Sequence, residues 1–198
     1  GRLWRKLEQQ GALRYDIARN AEDIRVQMEE FLLLENAGWK GRQRSSLAAD
    51  RYSAAFAREA INSLAEVDKC RIHTISLDGK VIASLIVFVD GGTAWTWKTT
   101  FDEEYRSFSP GKLLMVRATE AFLDDPNIVF ADSCAIAGHS MMGHLWQEKR
   151  EMATLIVGLD IAKDREVRRV ATQIDLYSST KETAKRVQTR LKTRIKKF

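Results

Sequence analysis

One short stretch of this chain, which begins at Arg106, combines a helix start with basic side chains. Ser109 suits the N-cap of a helix, and Pro110 suits the first helical position, where its missing N–H costs no hydrogen bond. Gly111 lets a ligand approach the backbone, and Lys112 adds positive charge beside the positive end of the helix dipole. A helix start of this kind binds anions. The stretch therefore predicts a site for a phosphate or pyrophosphate.

Three further residues are candidates for chemistry. Asp132 follows a predicted short strand, and ligands in open α/β sheets gather outside the carboxyl ends of strands, so it could act as a general base. Its structural alternative is a helix cap or a salt bridge. Histidine can accept a proton near neutral pH, which makes His139 a second candidate base, although a lone histidine is more often structural. Cys134 could be a nucleophile, but most free cysteines are simply buried.

The spacing of the first stretch resembles a known family. Arg106-x-x-Ser109-x-Gly111 is similar to the pyrophosphate loop of the GNAT acetyltransferases, with Ser109 in place of the first glycine. Two other segments resemble the cellulose-biosynthesis-type branch of that family, and the whole resemblance covers roughly residues 20–157. These segments are Phe31-Leu-Leu-Leu-Glu35-x-x-Gly38-Trp39-Lys40-Gly41-Arg42 and Leu145-Trp146-x-x-Lys149-Arg150.

The resemblance implies acetyl-CoA or CoA as the cofactor and a strand that splays away from its parallel neighbour. The pantetheine arm would pair with the splayed strand, and the loop amides and basic side chains would hold the pyrophosphate. Because Pro110 has no N–H, one amide of the usual loop is absent here. The cofactor-binding residues implied in this way are Lys98, Thr99, Thr100, Phe101, Arg106, Ser109, Gly111 and Lys112.

Two of the neighbouring residues have structural alternatives. Lys98 is implied at the mouth of the cofactor cleft, or it faces solvent at a sheet edge. Asp102 matches part of the family motif, whereas the acidic run that it opens reads as a solvated loop. Trp146, Lys149 and Arg150 match the motif without an evident role beyond packing and charge.

The surrounding pattern predicts the elements that position these residues. A strand at 13–17 precedes a helix that Asn20 caps and Gly38 ends. A second helix from Ser45 or Ser46 should bury Ala49, Tyr52, Phe56, Ala60 and Leu64. Asp-Gly turns predict antiparallel strands at 72–77, 81–89 and 93–100. In the last of these, Trp95 and Trp97 should share one face and Lys98 the other.

The second half predicts a parallel crossover. A helix with Leu114, Ala118, Ala121 and Phe122 on its buried side leads to a short buried strand at 128–131, a helix at 139–146 and a strand at 153–159. Two amphipathic helices follow, one with Val167, Val170, Ala171, Ile174 and Tyr177 on its apolar face and one with Ala184, Val187, Leu191, Ile195 and Phe198. We expect an α/β fold with a mixed sheet, in which an antiparallel meander precedes a parallel β-α-β crossover, with extra C-terminal helices. The element order is that of the GNAT fold.

Charge and composition indicate how the chain is divided into domains and which kinds of site it lacks. The net charge is +5, but residues 181–198 carry eight basic residues against one acid, so the rest of the chain is close to −2. We expect an acyltransferase domain at 1–160 and basic amphipathic helices at 161–198 that pack on the domain or on a partner, with a homodimer left open.

There is no membrane-span pattern and no Cys/His cluster for a metal, and two cysteines favour a reducing cytoplasm.

The predicted function is an acyl-CoA-dependent N-acyltransferase, with acetyl-CoA as donor and a small-molecule or sugar amine as acceptor. Two alternatives stay open. A Fem-like aminoacyl or peptidyl transferase needs a second such domain, which a chain that starts at Gly1 without methionine leaves room for. The other is a non-catalytic module that binds an anionic partner through its basic last helix, with nucleic acid the less favoured partner.

Overall fold

The computed structural model describes residues 1–136, 138–139 and 141–195. The chain divides into two compact units, Gly1–Gln147 and Glu148–Phe198, so the predicted division after residue 160 falls inside the second unit. The helices are α1 Arg2–Glu8, α2 Ala21–Ala37, α3 Trp39–Arg42, α4 Arg51–Glu66, α5 Pro110–Asp124, α6 Met142–Leu145 and α7 Asp164–Ile195. The strands are β1 Leu13–Ala18, β2 Cys70–Leu77, β3 Lys80–Asp90, β4 Thr93–Phe101 and β5 Phe130–Asp132. Short 3₁₀ turns cover Leu47–Ala49, Glu103–Phe108 and Ile161–Lys163.

The first unit is built on one five-stranded sheet in the order β1-β2-β3-β4-β5. The first four strands are antiparallel neighbours, and β5 lies parallel to β4. Asp78 and Gly79 both have positive φ at the β2–β3 turn, as a two-residue hairpin requires. The predicted mixed α/β sheet, with its meander and parallel crossover, is confirmed.

Two apolar clusters cover the two faces of this sheet. On one face α5 packs with Leu114, Met115 and Ala118 against β3 and β4. Helix α1, which the sequence did not predict, completes this cluster with the fully buried Leu7. On the other face α2 and α4 cover the sheet, and α2 buries the predicted stripe, which consists of Ile24, Met28, Phe31 and Leu32.

The predicted start of α4 is wrong, and so is most of its predicted buried face, although Leu64 does pack against the apolar cluster. The helix begins at Arg51, where the Asp50 carboxylate accepts the Ser53 N–H across 2.8 Å. It buries small residues against α2, and the exposed fractions of Tyr52 and Phe56 are 69% and 66%. The buried residues are Ala54, Ala57, Ile61 and Ala65. Alanines allow close packing of two helices, which the size of the aromatic rings would prevent.

A bulge in β4 makes the predicted alternation of Trp97 and Lys98 wrong. Ile86 of β3 lies opposite Lys98 while the next residue, Val87, lies opposite Thr96, so Trp97 is the extra residue of the bulge. Trp97 packs against the α2–α4 cluster, and Lys98 Nζ also lies on that side. An extra residue breaks the period of two, so neighbouring side chains share a face.

The predictions beyond α5 are partly wrong. Strand β5 starts at Phe130, two residues later than predicted, and it is not buried, because it lies at the edge of the sheet. The predicted helix at 139–146 is reduced to the four residues of α6. The run at 153–159 forms no strand within the described residues, and Leu159 is 99% exposed. An apolar run becomes a strand only where a neighbour pairs with its backbone.

The second unit contains one long helix where two were predicted. Helix α7 continues past Tyr177 and Ala184, because no glycine or proline lies between the two predicted stripes. Val167 packs beside Gly158, where an added Cβ would lie 2.7 Å from a Val167 methyl group. The side chains of the second stripe beyond Ala184 lie outside the described residues. In the described part of the chain, no helix combines the length and apolarity needed to cross a membrane.

Candidate functional site

Strand β4 extends well beyond its pairing with β5. The parallel pairs join Thr93, Ala94 and Trp95 to the three residues of β5, and β4 then continues through residues 96–101. At the point where the strands part, Thr96 Oγ1 donates to the Ser133 carbonyl across 2.8 Å. Within the described residues, no strand therefore pairs with the second edge of β4 from Trp97 onward, and we call this stretch the open edge. The predicted pantetheine residues Thr99, Thr100 and Phe101 lie on this open part of the strand.

A 3₁₀ turn leads from β4 into α5. Asp102 caps it by accepting the Glu104 N–H and also bonds Lys80 Nζ across 2.7 Å. Burial opposes ionisation of Asp102, but these bonds and the Lys80 charge hold its pKa below the usual value. Asp102 is therefore a cap and an ion-pair partner, and it does not lie in a solvated loop, because only 14% of its side chain is exposed.

Ser109 does not cap α5 with its side chain, so that part of the prediction is wrong. Its backbone is left-handed, with φ 53° and ψ 54°, and its hydroxyl makes no capping bond. A capping side chain reaches the helix amides from an extended backbone. Instead, the Ser109 carbonyl accepts the N–H groups of Lys112 and Leu113. The left-handed turn arises because Ser109 ends the 3₁₀ turn and starts α5 at once.

A buried carboxylate lies on the opposite face of β4 from α5. The Glu35 side chain, on α2, has no exposed surface. Its Oε1 atom accepts from Lys40 Nζ at 2.9 Å and its Oε2 atom from the Leu47 N–H at 2.8 Å. Burial alone would raise the pKa of Glu35, but these donors and the nearby charges of Lys40 and Lys98 outweigh burial and lower it. Glu35 is therefore ionised at neutral pH and poorly suited to act as a base.

The same cluster reaches the open strand. Lys40 Nζ donates to the Thr99 carbonyl across 3.0 Å, and Lys98 Nζ lies 3.5 Å from Glu35 Oε1. We call Glu35, Lys40 and Lys98 the lysine–carboxylate cluster. Sequence reasoning missed it, although a glutamate at helical spacing from the buried Phe31 and Leu32 was a signal for a paired buried charge.

Comparison with known proteins identifies the protein family. The family model for the acetyltransferase (GNAT) domain matches residues 1–128, which is more than half of the chain. The chain belongs to the GNAT acetyltransferase family. Acyl transfer is thus its general chemistry, and the non-catalytic alternative is set aside. GNAT acetyltransferases use acetyl-CoA as a cosubstrate.

Solved structures share the GNAT fold. The GCN5-related N-acetyltransferase of Ralstonia eutropha JMP134 has 17% identity and a TM-score of 0.51, over 74% of this chain and 100% of that protein. The aminoglycoside antibiotic 6′-N-acetyltransferase AAC(6′)-Ih of Acinetobacter baumannii has 15% identity and a TM-score of 0.50, over 75% of this chain and 99% of that protein. No curated protein sequence matches this chain.

The start of α5 in this GNAT acetyltransferase is the predicted pyrophosphate site. Gly111 is buried against Phe101, and an added Cβ would lie 3.3 Å from the ring. Among the described residues, no backbone carbonyl outside α5 accepts the Gly111 N–H, as is usual in the first turn of a helix. Arg106 and Lys112 lie close to Gly111 in sequence, and both side chains are exposed. One amide and two cations make a smaller set of donors than the predicted loop.

The two candidate bases hold structural hydrogen bonds. Asp132 ends β5, and its Oδ1 atom accepts the Cys134 N–H across 2.8 Å. His139 is exposed, and its Nδ1 atom lies 3.3 Å from the Met142 N–H at the start of α6. Desolvation, and then the charge of Asp132, raise the pKa of the Cys134 thiol, which disfavours the thiolate needed for nucleophilic attack.

The last motif residues divide between the two units. Trp146 Nε1 donates to Thr119 Oγ1 across 3.0 Å, which anchors the end of the first unit on α5. Lys149 and Arg150 belong to the second unit and are exposed. Among the described residues, no three His, Cys, Asp or Glu side chains come together as metal ligands would.

Proposed function

We propose that this GNAT protein is an acetyl-CoA-dependent N-acetyltransferase that transfers the acetyl group directly to an amine. The observation that carries the proposal is the open edge of β4 over residues 97–101, which continues directly through the turn into the start of α5. An extended arm can add to such an edge with backbone hydrogen bonds. The pantetheine arm would lie along Thr99, Thr100 and Phe101.

The pyrophosphate would lie at the start of α5. The Gly111 N–H would donate to it, and Arg106 and Lys112 would supply charge. Lys98 and Ser109 complete the proposed cofactor-binding residues, both through the backbone, because the Lys98 side chain lies on the α2 face beside Glu35. Direct transfer needs no cysteine, in agreement with the raised pKa of the Cys134 thiol.

The residues of this chain would assist the transfer in two ways. Acetyl-CoA would supply the thioester carbon that a neutral amine attacks; the C–S bond would break as the C–N bond forms, and CoA would leave as its thiolate. A backbone N–H of β4 near the bulge at Trp97 would donate to the carbonyl oxygen as negative charge develops there. Asp132 or His139 would accept the proton that the amine nitrogen gives up. The acceptor would be a small molecule or a sugar with a primary amine.

We also propose that the chain belongs to the cellulose-biosynthesis-type branch. The segment from Phe31 to Arg42 supports this assignment, because its Glu35 and Lys40 side chains join α2 and α3 to β4 beside the proposed cofactor strand. The motif spacing thus has a defined structural purpose.

Thermal unfolding with acetyl-CoA tests the proposal. A ligand that binds only the folded state stabilises it by about 2.7 kcal/mol at one hundred times its dissociation constant, so the melting temperature should rise. Gly111→Asp should abolish the rise, because a carboxylate would meet the phosphates. An unchanged melting temperature at millimolar acetyl-CoA would refute the proposed function.

A further inference from the structure

The lysine–carboxylate cluster contains two ammonium groups but only one carboxylate. Lys40 Nζ and the Leu47 N–H already bind the two Glu35 oxygens at 2.9 and 2.8 Å. The third donor, Lys98 Nζ, is 3.5 Å from an oxygen that Lys40 already occupies. The cluster therefore has a net charge of +1, because two lysines face one glutamate.

Lys98 is held where an extra cation is unfavourable. Its side chain is 26% exposed, and the Trp97 ring, whose centre lies 5.8 Å from the ammonium, gives only a weak cation–π attraction at that distance. A partly desolvated charge is costly unless a close opposite charge compensates it. The distant, shared contact with Glu35 compensates Lys98 only in part. An anion from outside the chain would complete the pairing.

The position of Lys98 favours the acceptor as the source of that anion. Lys98 precedes Thr99, Thr100 and Phe101, which are proposed for the pantetheine arm, but its side chain lies on the α2 face with Glu35. The proposed pyrophosphate site lies instead at the start of α5, on the opposite face of the sheet. Phosphates bound at the start of α5 would not contact the Lys98 ammonium, which could therefore bind a different ligand.

We propose that the acceptor is an amine that also carries a carboxylate or phosphate, and that Lys98 binds this anionic group. The inference rests on the proposed acetyl transfer and specifies its substrate class. Glu35 holds Lys98 through one N–H group, and in the described part of the chain no other side-chain hydrogen bond uses the remaining two, which can donate to oxygen acceptors. A neutral amine of the same shape would lack this charge-assisted hydrogen bond.

Matched acceptor pairs test the inference. Turnover with saturating acetyl-CoA would be measured by mass spectrometry for β-alanine against β-alaninamide, and for 2-aminoethyl phosphate against ethanolamine. The first pair tests a carboxylate and the second a phosphate. We expect kcat/KM to favour the anionic member of at least one pair by about 10- to 100-fold, the usual effect of a hydrogen bond between charged groups.

Variants assign the preference to Lys98. Lys98→Gln should reduce the preference to near unity by raising KM for the anionic member, whereas Lys98→Arg should retain it. Lys69→Gln, which removes an exposed partner of Asp90, is the matched control and should keep the preference of the wild type. Because Glu35 keeps its two closer donors, Lys98→Gln should fold, and its melting temperature checks this.

The outcomes separate the inference from the proposed function. Equal turnover of both members in each pair, or a preference unchanged in Lys98→Gln, would overturn the inference. So would failure of all anionic members to react in a protein that acetyl-CoA stabilises. A protein that acetyl-CoA does not stabilise would overturn the proposed function itself, and the inference with it.

Discussion

Lys40 Nζ donates to the backbone carbonyl of Thr99 across 3.0 Å, although 59 positions separate the two residues in sequence. The same ammonium binds the buried Glu35 carboxylate at 2.9 Å. One side chain thus connects α2, α3 and the strand that we propose holds the pantetheine arm. The relationship links the stability of the first unit to the geometry of its proposed site.

Removing the Lys40 ammonium should destabilise the first unit. Lys40→Met would leave a fully buried carboxylate without its closest cation, and we expect the free energy of unfolding to fall by about 1–3 kcal/mol. Urea denaturation measures this loss. Arg58→Met is the matched control, because Arg58 and Glu29 form an exposed ion pair at 2.6 Å, worth about 1 kcal/mol or less. Equal losses in both variants would show that the buried pair has no special importance.

The buried His73 should make stability depend on pH. Its Nδ1 atom lies 2.6 Å from the Tyr15 hydroxyl, and burial, followed by the charges of Arg19 and Arg71, lowers its pKa from 6.5 to about 3. Between these values the unfolded state binds a proton that the folded state does not, so stability is complete above pH 6.5 and falls as the pH drops towards 3.

Urea unfolding at pH 7.5, 5.5 and 4.5 checks the His73 prediction. The wild type should lose up to about 1.4 kcal/mol per pH unit from this group below pH 6.5. His73→Gln should remove that part of the slope, while His144→Gln, at an exposed histidine of α6, is the control. A slope that stays the same in His73→Gln would contradict the prediction.

Replacement of the true base should slow acetyl transfer by about 10²–10⁴-fold at neutral pH, with recovery at high pH. Asp132→Asn and His139→Asn are the informative variants, because an amide oxygen can still accept the Cys134 or Met142 N–H. Each variant thus removes the base but retains the structural hydrogen bond. Full activity in both would exclude the two residues and favour a water chain as the proton acceptor.

Cys134→Ser should leave acetyl transfer unchanged within about twofold. The raised pKa keeps the thiol protonated at neutral pH, and its Sγ atom lies 4.0 Å from the Asp132 carbonyl, which a serine hydroxyl can also approach. Steady-state kinetics with both substrates varied should give intersecting lines in double-reciprocal plots. Parallel lines, together with an inactive Cys134→Ser protein, would instead indicate an acetyl-cysteine intermediate.

Local signals predicted the fold well where neighbours in sequence are neighbours in space. The turn residues Asp78-Gly79 and Gly91-Gly92 indicated the antiparallel hairpins, because two residues determine such a turn. The strand predicted at 153–159 is wrong because a strand needs a neighbouring strand to pair with, and local hydrophobicity does not show whether one is present. The buried face of α4 is set by how much space α2 leaves beside it. The periodicity of apolar residues within α4 carries no information about that space.

The candidate site shows the same division. Gly111 and Lys112 were found from the local signature of a helix start. The left-handed conformation of Ser109 depends on the 3₁₀ turn before it, and the bulge at Trp97 depends on the register with β3. The lysine–carboxylate cluster joins Glu35 to Lys98, 63 positions away, so only the tertiary structure brings its charges together.

Calorimetric titration of the whole chain with CoA tests the central claim most directly. We predict saturable binding of one CoA per chain, weakened about tenfold or more in Lys112→Glu, where a carboxylate replaces the exposed cation beside Gly111. Arg25→Glu, which reverses an exposed charge on α2, should bind CoA like the wild type. No binding heat with millimolar CoA at two temperatures, or equal affinity in Lys112→Glu, would contradict a cofactor site at the start of α5.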